Sequence, residues 1–451
     1  MIPTSAEKLF GGLWPAVPPG LLVNAVVTDN RAVQPGCVFV AIKGERVDGH
    51  DFAAPAYKDG AIVVVAQHPV DGVPIDRTVL VKDPLDAMIA LGANYREQFQ
   101  PLVLAVTVSV GKTTTKEYCA AVFGVFGETL KTEGNQNNEI GMPNTLFRMD
   151  GETRYAVVEM GMQKLGEIHK LTMAARPAGA LITKIGTSHI EHLGSIENIL
   201  RAKLEICDGL PQGAPLIMNG DDPLLKSAQL PGHVQGIYAG IEDPTCEVRA
   251  LEITPEGVGQ RFRILDNQYG DFSAFVPAVG RHHVQDALLA YTAATRLGLN
   301  AGTAVAALAN YRPAGMRQNI IRKGGAIIIE DCYNANPDSM AAALEVLAQL
   351  PAQGRKIAVL GDMFELGNTA EQAHRELGRQ CARQGVQLLF TVGPLAALAG
   401  EEAQLAGVDV TICADNAEAA AKLKKVLHSG DAVLVKASRG MHFEEILDAI
   451  K

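Results

Sequence analysis

Short apolar runs rich in Val, Ile and Leu, separated by longer stretches of helical periodicity, set the rhythm of this chain. From position 101 to about 312, the runs Leu102 to Thr107, Tyr155 to Val158, Ala178 to Ile182 and Leu216 to Met218 alternate with helical stretches. That is the pattern of a parallel sheet with crossover helices. The segment from Thr245 to Phe275 reads as antiparallel, a β extension of that sheet. After Tyr311, Arg312 and Pro313 the alternation restarts, with Ala326 to Ile329, Lys356 to Leu360, Leu388 to Val392, Val408 to Ile412 and Asp431 to Val435 as strands of a doubly wound unit. Residues 1–82 read as short strands between Gly/Pro turns, ending at Thr78 to Val81, and 85–99 as a helix bridging to the strand at Leu102. The predicted fold class is α/β in three domains: a small N-terminal α/β domain over 1–82, a central parallel sheet carrying a phosphate loop over 83–312, and a C-terminal Rossmann-like doubly wound domain over 313–451.

Between the Leu102 to Thr107 run and the next helical stretch, expected over Lys116 to Phe126, lie Ser109, Val110, Gly111, Lys112, Thr113 and Thr114. In a loop of this kind backbone N–H groups meet phosphate oxygens, Lys112 reaches the β- and γ-phosphates, and the Thr113 hydroxyl completes a Mg²⁺ shell. ATP is the expected cosubstrate. Val108 occupies the position where the short form of the loop has glycine. If that position keeps a positive φ, a β-branched residue there costs about 1–3 kcal/mol. Nucleotide affinity is then expected to suffer, and Val108→Gly to raise it. A Gly-Lys-Thr turn at a helix start with no ligand is the bland alternative.

Open α/β sheets bind ligands at their strand C-terminal ends, so polar residues there are candidates. Glu159 closes its strand and is a candidate Mg²⁺ ligand; a capping or solvated glutamate is the alternative. His189 follows the next strand, and Glu191 and His192 compete with it for the same role. Lys203, in Arg201-Ala-Lys-Leu-Glu205, reads as an ordinary solvated lysine. The segment Gly280 to Leu288 places His282, His283 and Asp286 at a helix start, an edge for a nucleobase or simply a polar helix terminus. Asp331 to Ser339 carries Asn334, Asn336 and Pro337 between a strand and a helix. Gly361 to Gly367 and Lys436 to Met441 follow later strands of the same unit, so the three segments are expected to converge.

Composition narrows the function. A charged fraction of 20%, a hydrophobic fraction of 47% and a mean hydropathy of +0.09 are globular values. A net charge of -10 argues against a nucleic-acid partner, which needs clustered Lys and Arg. The cysteines at 37, 119, 207, 246, 332, 381 and 413 stand singly, as in a reducing compartment with no structural zinc. No apolar run approaches the length of a membrane span, and Pro3, Glu7 and Lys8 stand where a signal peptide would differ. A cytoplasmic monomer, not inserted in a membrane, is expected.

In this order and over essentially the whole chain, the motifs resemble the Mur ligase family. Thr28, Asp29, Asn30 and Arg31, the stretch Phe39 to Gly44 with Lys43, and Asp48 to Phe52 resemble its UDP-binding domain. Gly134 to Gly141 with Asn137 and Asn138, and Glu159 to Met162, resemble its central domain. What the resemblance implies is an ATP-dependent amide ligase of peptidoglycan synthesis that joins D-Ala-D-Ala to UDP-N-acetylmuramoyl-tripeptide through an acyl phosphate. Members that add diaminopimelate carry an Asp-Asn-Pro-Arg motif absent here. By the same resemblance, Lys112 and Thr113 hold ATP phosphates and the first Mg²⁺; Glu159 and His189 serve metal sites; and Lys203 matches a lysine that the family carbamylates, making a second metal ligand. Asp286 falls at an adenine site, with His282 beside it, Arg317 resembles a phosphate-contacting arginine, and Asp331 a ribose ligand. Asn334, Asn336, Ser438 and Arg439 face the substrate side. Lys184, His283 and Asp286 replace asparagines, and Asp286 loses an amide donor. A different amino substrate, or a homologue that binds but no longer hydrolyses ATP, are the alternatives.

Overall fold

The computed structural model describes residues 1–44, 46–109, 111–186 and 190–450. They form two compact units, Met1–Val248 with Leu289–Ala304, and Arg249–Leu288 with Val305–Lys451.

In the first unit the N-terminal sheet is wholly parallel, in the order β1 (Ala25–Val27), β2 (Cys37–Val40), β3 (Ala61–Ala66), β4 (Thr78–Leu80). Asp83 then caps helix α1 (Pro84–Arg96), whose N1 proline needs no hydrogen bond. This helix ends a turn earlier than its apolar periodicity suggests. Its Gly92 permits close packing, because a Cβ there would come within 2.9 Å of Pro143. Leu9, Phe10 and Trp14 share one continuous core with Tyr95, Met142, Val103 and Val158.

The larger sheet of this unit contains β5 (Leu102–Thr107), β6 (Thr129–Lys131), β7 (Tyr155–Glu159), β8 (Gly179–Ile182), β9 (Ala214–Asn219) and β10 (Val234–Gly240) in the order β10-β9-β8-β5-β7-β6. All of these pairings are parallel. Val106 stands beside Glu159 and Thr107 beside Ile182, so the C-terminal ends of β7, β5 and β8 are level. Helix α2 runs Lys112–Phe123, starting earlier than its composition alone suggests, directly from the loop.

The second unit contains β11 (Val248–Glu256), whose first residue belongs to the other unit, and the antiparallel hairpin β12 (Gly259–Asp266) and β13 (Gly270–Val276). The expected antiparallel segment is thus a set of long strands. A further sheet has the order β14 (Asn319–Lys323), β15 (Ala326–Glu330), β19 (Ala432–Lys436), β16 (Lys356–Gly361), β17 (Leu388–Val392), β18 (Asp409–Cys413), parallel except for β14. Period-2 alternation sends Ile327, Ile329 and Leu434 into one core and Ile328, Val433 and Val435 into the other. Helices Pro337–Gln349 and Ala370–Arg383 cover the first face, Asn416–Val426 and Glu444–Ile450 the second. This is the doubly wound arrangement read from the alternation. Among the described residues, no helix is long and apolar enough to cross a membrane.

Candidate nucleotide and metal site

At the start of α2, Gly111 has φ 87°, a left-handed backbone that glycine adopts without penalty. Its carbonyl accepts both the Thr115 N–H at 3.0 Å and the Thr115 hydroxyl at 3.2 Å. The Ser109 N–H donates to Lys184 O at 3.1 Å, tying the loop to the end of β8. Thr113 is buried and Thr114 half-buried. Val110 and His189 lie outside the described residues, as does the side chain of Lys112.

Val108 departs from expectation. Its φ is not positive, and its side chain is 0% exposed, buried as an extension of the β5 apolar run. The backbone therefore avoids the strain that a β-branched residue would suffer in the motif's usual path.

Glu159 is buried at the end of β7. Its backbone N–H donates to Thr132 Oγ1 at 2.9 Å, and its Oε1 accepts from Asn137 Nδ2 at 2.6 Å. Its Oε2 has no hydrogen-bond partner among the described residues, and neither have the buried hydroxyls of Thr107 and Thr183 on the adjoining strand ends. Buried oxygens without donors are unfavourable unless something else completes them. A hard divalent cation, which prefers oxygen ligands, fits this edge. Among the described residues no three His, Cys, Asp or Glu side chains gather into a metal cluster, so the donor set here is one carboxylate among hydroxyls.

Lys203, expected in solvent, is 2% exposed on the helix Ile196–Leu204. An ordinary solvated lysine is excluded, because a buried ammonium requires compensation or modification. Asn138 uses its side-chain oxygen on the N–H groups of Ile140 and Gly141 at the start of helix Gly141–Leu146. In the N-terminal sheet, Asp29 caps a short turn over Asn30–Ala32 and pairs with the exposed Arg31, whose hydrogen bonds and charge hold the Asp29 carboxyl at about 2. Thr28 and Asn30 are half-buried and Lys43 is exposed.

In the second unit a polar network joins residues far apart in sequence. Gln318 Oε1 lies 2.9 Å from His282 Nε2 and 2.6 Å from His283 Nε2, with the two rings 4.4 Å apart. Burial pushes both imidazoles below their ordinary pKa, His283 well below, because repulsion between two protonated rings would add to the effect of burial. Two neutral rings, each protonated on Nε2, satisfy the shared acceptor. The Gln318 N–H reaches Asp331 Oδ1 at 3.3 Å, while Asp331 Oδ2 is 2.8 Å from Lys436 Nζ in a buried ion pair. Lys436 also donates to Asn334 O, and Arg317 stacks 3.6 Å above the Tyr333 ring. Ser438 Oγ accepts the Phe364 N–H, and the Ser438 N–H donates to Asp362 O. The loops after β15, β16 and β19 thereby converge as expected. Asp286 is buried, and Arg439 pairs with Glu444. Asn336 caps the helix Pro337–Gln349 through a reciprocal bond with Ser339.

Gln318, Lys436 and Thr107 were not singled out from the sequence. Gln318 carries no local motif, and its φ of 47° is visible only in the fold. Lys436 lies inside a segment that was recognised, at the end of an apolar strand, which is the signal that could have marked it.

The chain matches three family descriptions: "Mur ligase family, catalytic domain" over residues 22–100, "Mur ligase middle domain" over 106–294, and "Mur ligase, glutamate ligase domain" over 316–439. A Bacillus subtilis protein named UDP-N-acetylmuramoyl-tripeptide--D-alanyl-D-alanine ligase is 36% identical over 433 residues, covering 94% of this chain and 93% of its own. The crystal structure of MurF from Acinetobacter baumannii superposes with a TM-score of 0.88 at 31% identity, covering 99% and 98% of the two chains. MurF ligase from Thermotoga maritima in complex with ADP gives a TM-score of 0.85 at 28% identity, covering 96% and 98%. With all three segments matched and a relative aligned nearly end to end, the chain belongs to the Mur ligase family.

Proposed function

We propose that this protein is an ATP-dependent ligase that joins D-alanyl-D-alanine to UDP-N-acetylmuramoyl-tripeptide in peptidoglycan synthesis. The observation that carries it is the likeness, over nearly the full length, to relatives bearing that one name. The reading implies two displacements: the tripeptide carboxylate attacks the γ-phosphorus of ATP and expels ADP, and the dipeptide amine, losing a proton, then displaces phosphate from the acyl phosphate.

Each candidate residue has a role in this reading. The backbone N–H groups at the start of α2 and Lys112 hold the phosphates, an arrangement that costs no reorganisation during the reaction. Thr113, Glu159, His189 and a carbamylated Lys203 hold two Mg²⁺ ions. When bound, Mg²⁺ neutralises the triphosphate and stabilises the charge that develops in transfer. The Asn137 amide holds one Glu159 oxygen and leaves the other for this purpose. His282, Asp286 and Asp331 serve the nucleoside and Arg317 the phosphates of ATP; Thr28, Asp29, Asn30, Arg31 and Lys43 serve the UDP moiety; and Asn334, Ser438 and Arg439 serve the peptide substrates. Domain limits near 82 and 312 and a cytoplasmic monomer complete the proposal.

Phosphate release measured with UDP-N-acetylmuramoyl-tripeptide, ATP and Mg²⁺ tests it. Release should require D-Ala-D-Ala and stay at background with single amino acids or a free diamino acid. Release that depends on a diamino acid would assign a different amino substrate, and silence with every amine would leave a binding protein.

A further inference from the structure

Lys116, a turn into α2, is 1% exposed. Removing an ammonium from water costs several kcal/mol unless partners offset it, so its partners are informative. Its Nζ donates to Thr132 O at 2.6 Å and lies 3.5 Å from Glu117 Oε1. Burial pushes the Lys116 pKa down, and the charges of Glu159 and Glu117 draw it back up, so Glu159 is within electrostatic reach. Glu117 already has a cation in Lys131 and does not need a second. Thr132 leads to the candidate metal ligand. Its N–H donates to Val157 O at 3.1 Å, and its Oγ1 accepts the Glu159 N–H at 2.9 Å. Lys116 thus clamps the turn after β6 onto the two residues of β7 that end at the carboxylate.

We infer that Lys116 is a positioning residue for the magnesium nucleotide: through Thr132 it fixes the backbone from which Glu159 presents its Oε2, which has no hydrogen-bond partner among the described residues. The inference rests on the reading of Glu159 as a metal ligand. Outer partners that orient a ligand typically contribute a factor of about 10–100 in metal affinity.

Mn²⁺ binding followed by electron paramagnetic resonance, with ADP present, tests this beside a urea-unfolding midpoint for each full-length variant. Lys116→Met should lose about tenfold in Mn²⁺ affinity while keeping a folded midpoint. Thr132→Val should shift affinity in the same direction, with the double variant no weaker than the weaker single one, while Lys131→Met stays like wild type. A folded Lys116→Met that binds Mn²⁺ as wild type does, or more tightly, overturns the inference. In that case, loss of binding in Glu159→Gln leaves the metal reading standing. If Glu159→Gln also binds normally, the metal reading falls instead. Should Lys116→Met fail to fold, Thr132→Val decides, and unchanged Mn²⁺ affinity there overturns the clamp.

Discussion

Val108 influences the loop through packing. It is fully buried where β5 gives way to the phosphate-binding turn, and its φ lies outside the left-handed region. Val108→Gly therefore removes a buried isopropyl group and adds backbone freedom to the unfolded chain, and it should cost about 2–3 kcal/mol. Urea denaturation should show that loss, while calorimetry shows no gain in ATP affinity; tighter binding at unchanged stability would restore the strain argument. The residue type was legible in the sequence, but its backbone path was not, because a motif position implies a φ only where the chain follows the motif. Lys203 is the parallel case. A lysine between Ala202 and Leu204 on a helix defaults to solvent, and only the fold, in which it is buried along with Ile199 and Ala202 of the same helix, reveals otherwise.

Strands were easier to read than side-chain roles. Buried parallel strands declare themselves as continuous apolar runs between turn signals, so β7, β8 and β15 to β19 fall within a residue or two of their apolar runs. Helix ends were subtler. Pro337 marked a helix opening, yet the Asn336 side chain, read as facing substrate, closes a capping box with Ser339. Asn336→Ala should cost about 1 kcal/mol in stability. Asn336→Asp should retain the cap and, if capping is its whole contribution, leave the KM for D-Ala-D-Ala unchanged. A raised KM in a stable Asn336→Asp protein would return the residue to the substrate. The Gln318 network stayed hidden because its partners, His282, His283 and Asp331, are separated from it by tens of residues or lie just past the next strand, and no local pattern records such contacts.

At the scale of the whole chain, the thiols report on both units together. All seven cysteines are buried, four in the first unit and three in the second, and among the described residues none is joined in a disulfide. Burial raises the Cys207, Cys332 and Cys381 thiols to about 12 and the Cys246 thiol to about 11, against about 9 for an exposed thiol. Thiolate is the reactive form, so at pH 8 the native protein should react slowly with an aromatic disulfide reagent and release the full complement only in denaturant. The same shifts set a sign for stability. Below about pH 9 the thiols are protonated in both states and contribute no pH dependence. As the pH rises from 9 towards 12, unfolded thiols lose protons that folded ones keep, and linkage makes stability fall. Lysine and tyrosine titrate in the same window, so the decisive measurement is a difference: the urea midpoint of wild type against a Cys207→Ala/Cys381→Ala variant from pH 8 to 10.5. The variant should start lower, because two packed sulfurs are gone, and then decline less steeply. Parallel slopes would mean that these thiols titrate alike in the folded and unfolded chains, and that water reaches both sites in the native protein.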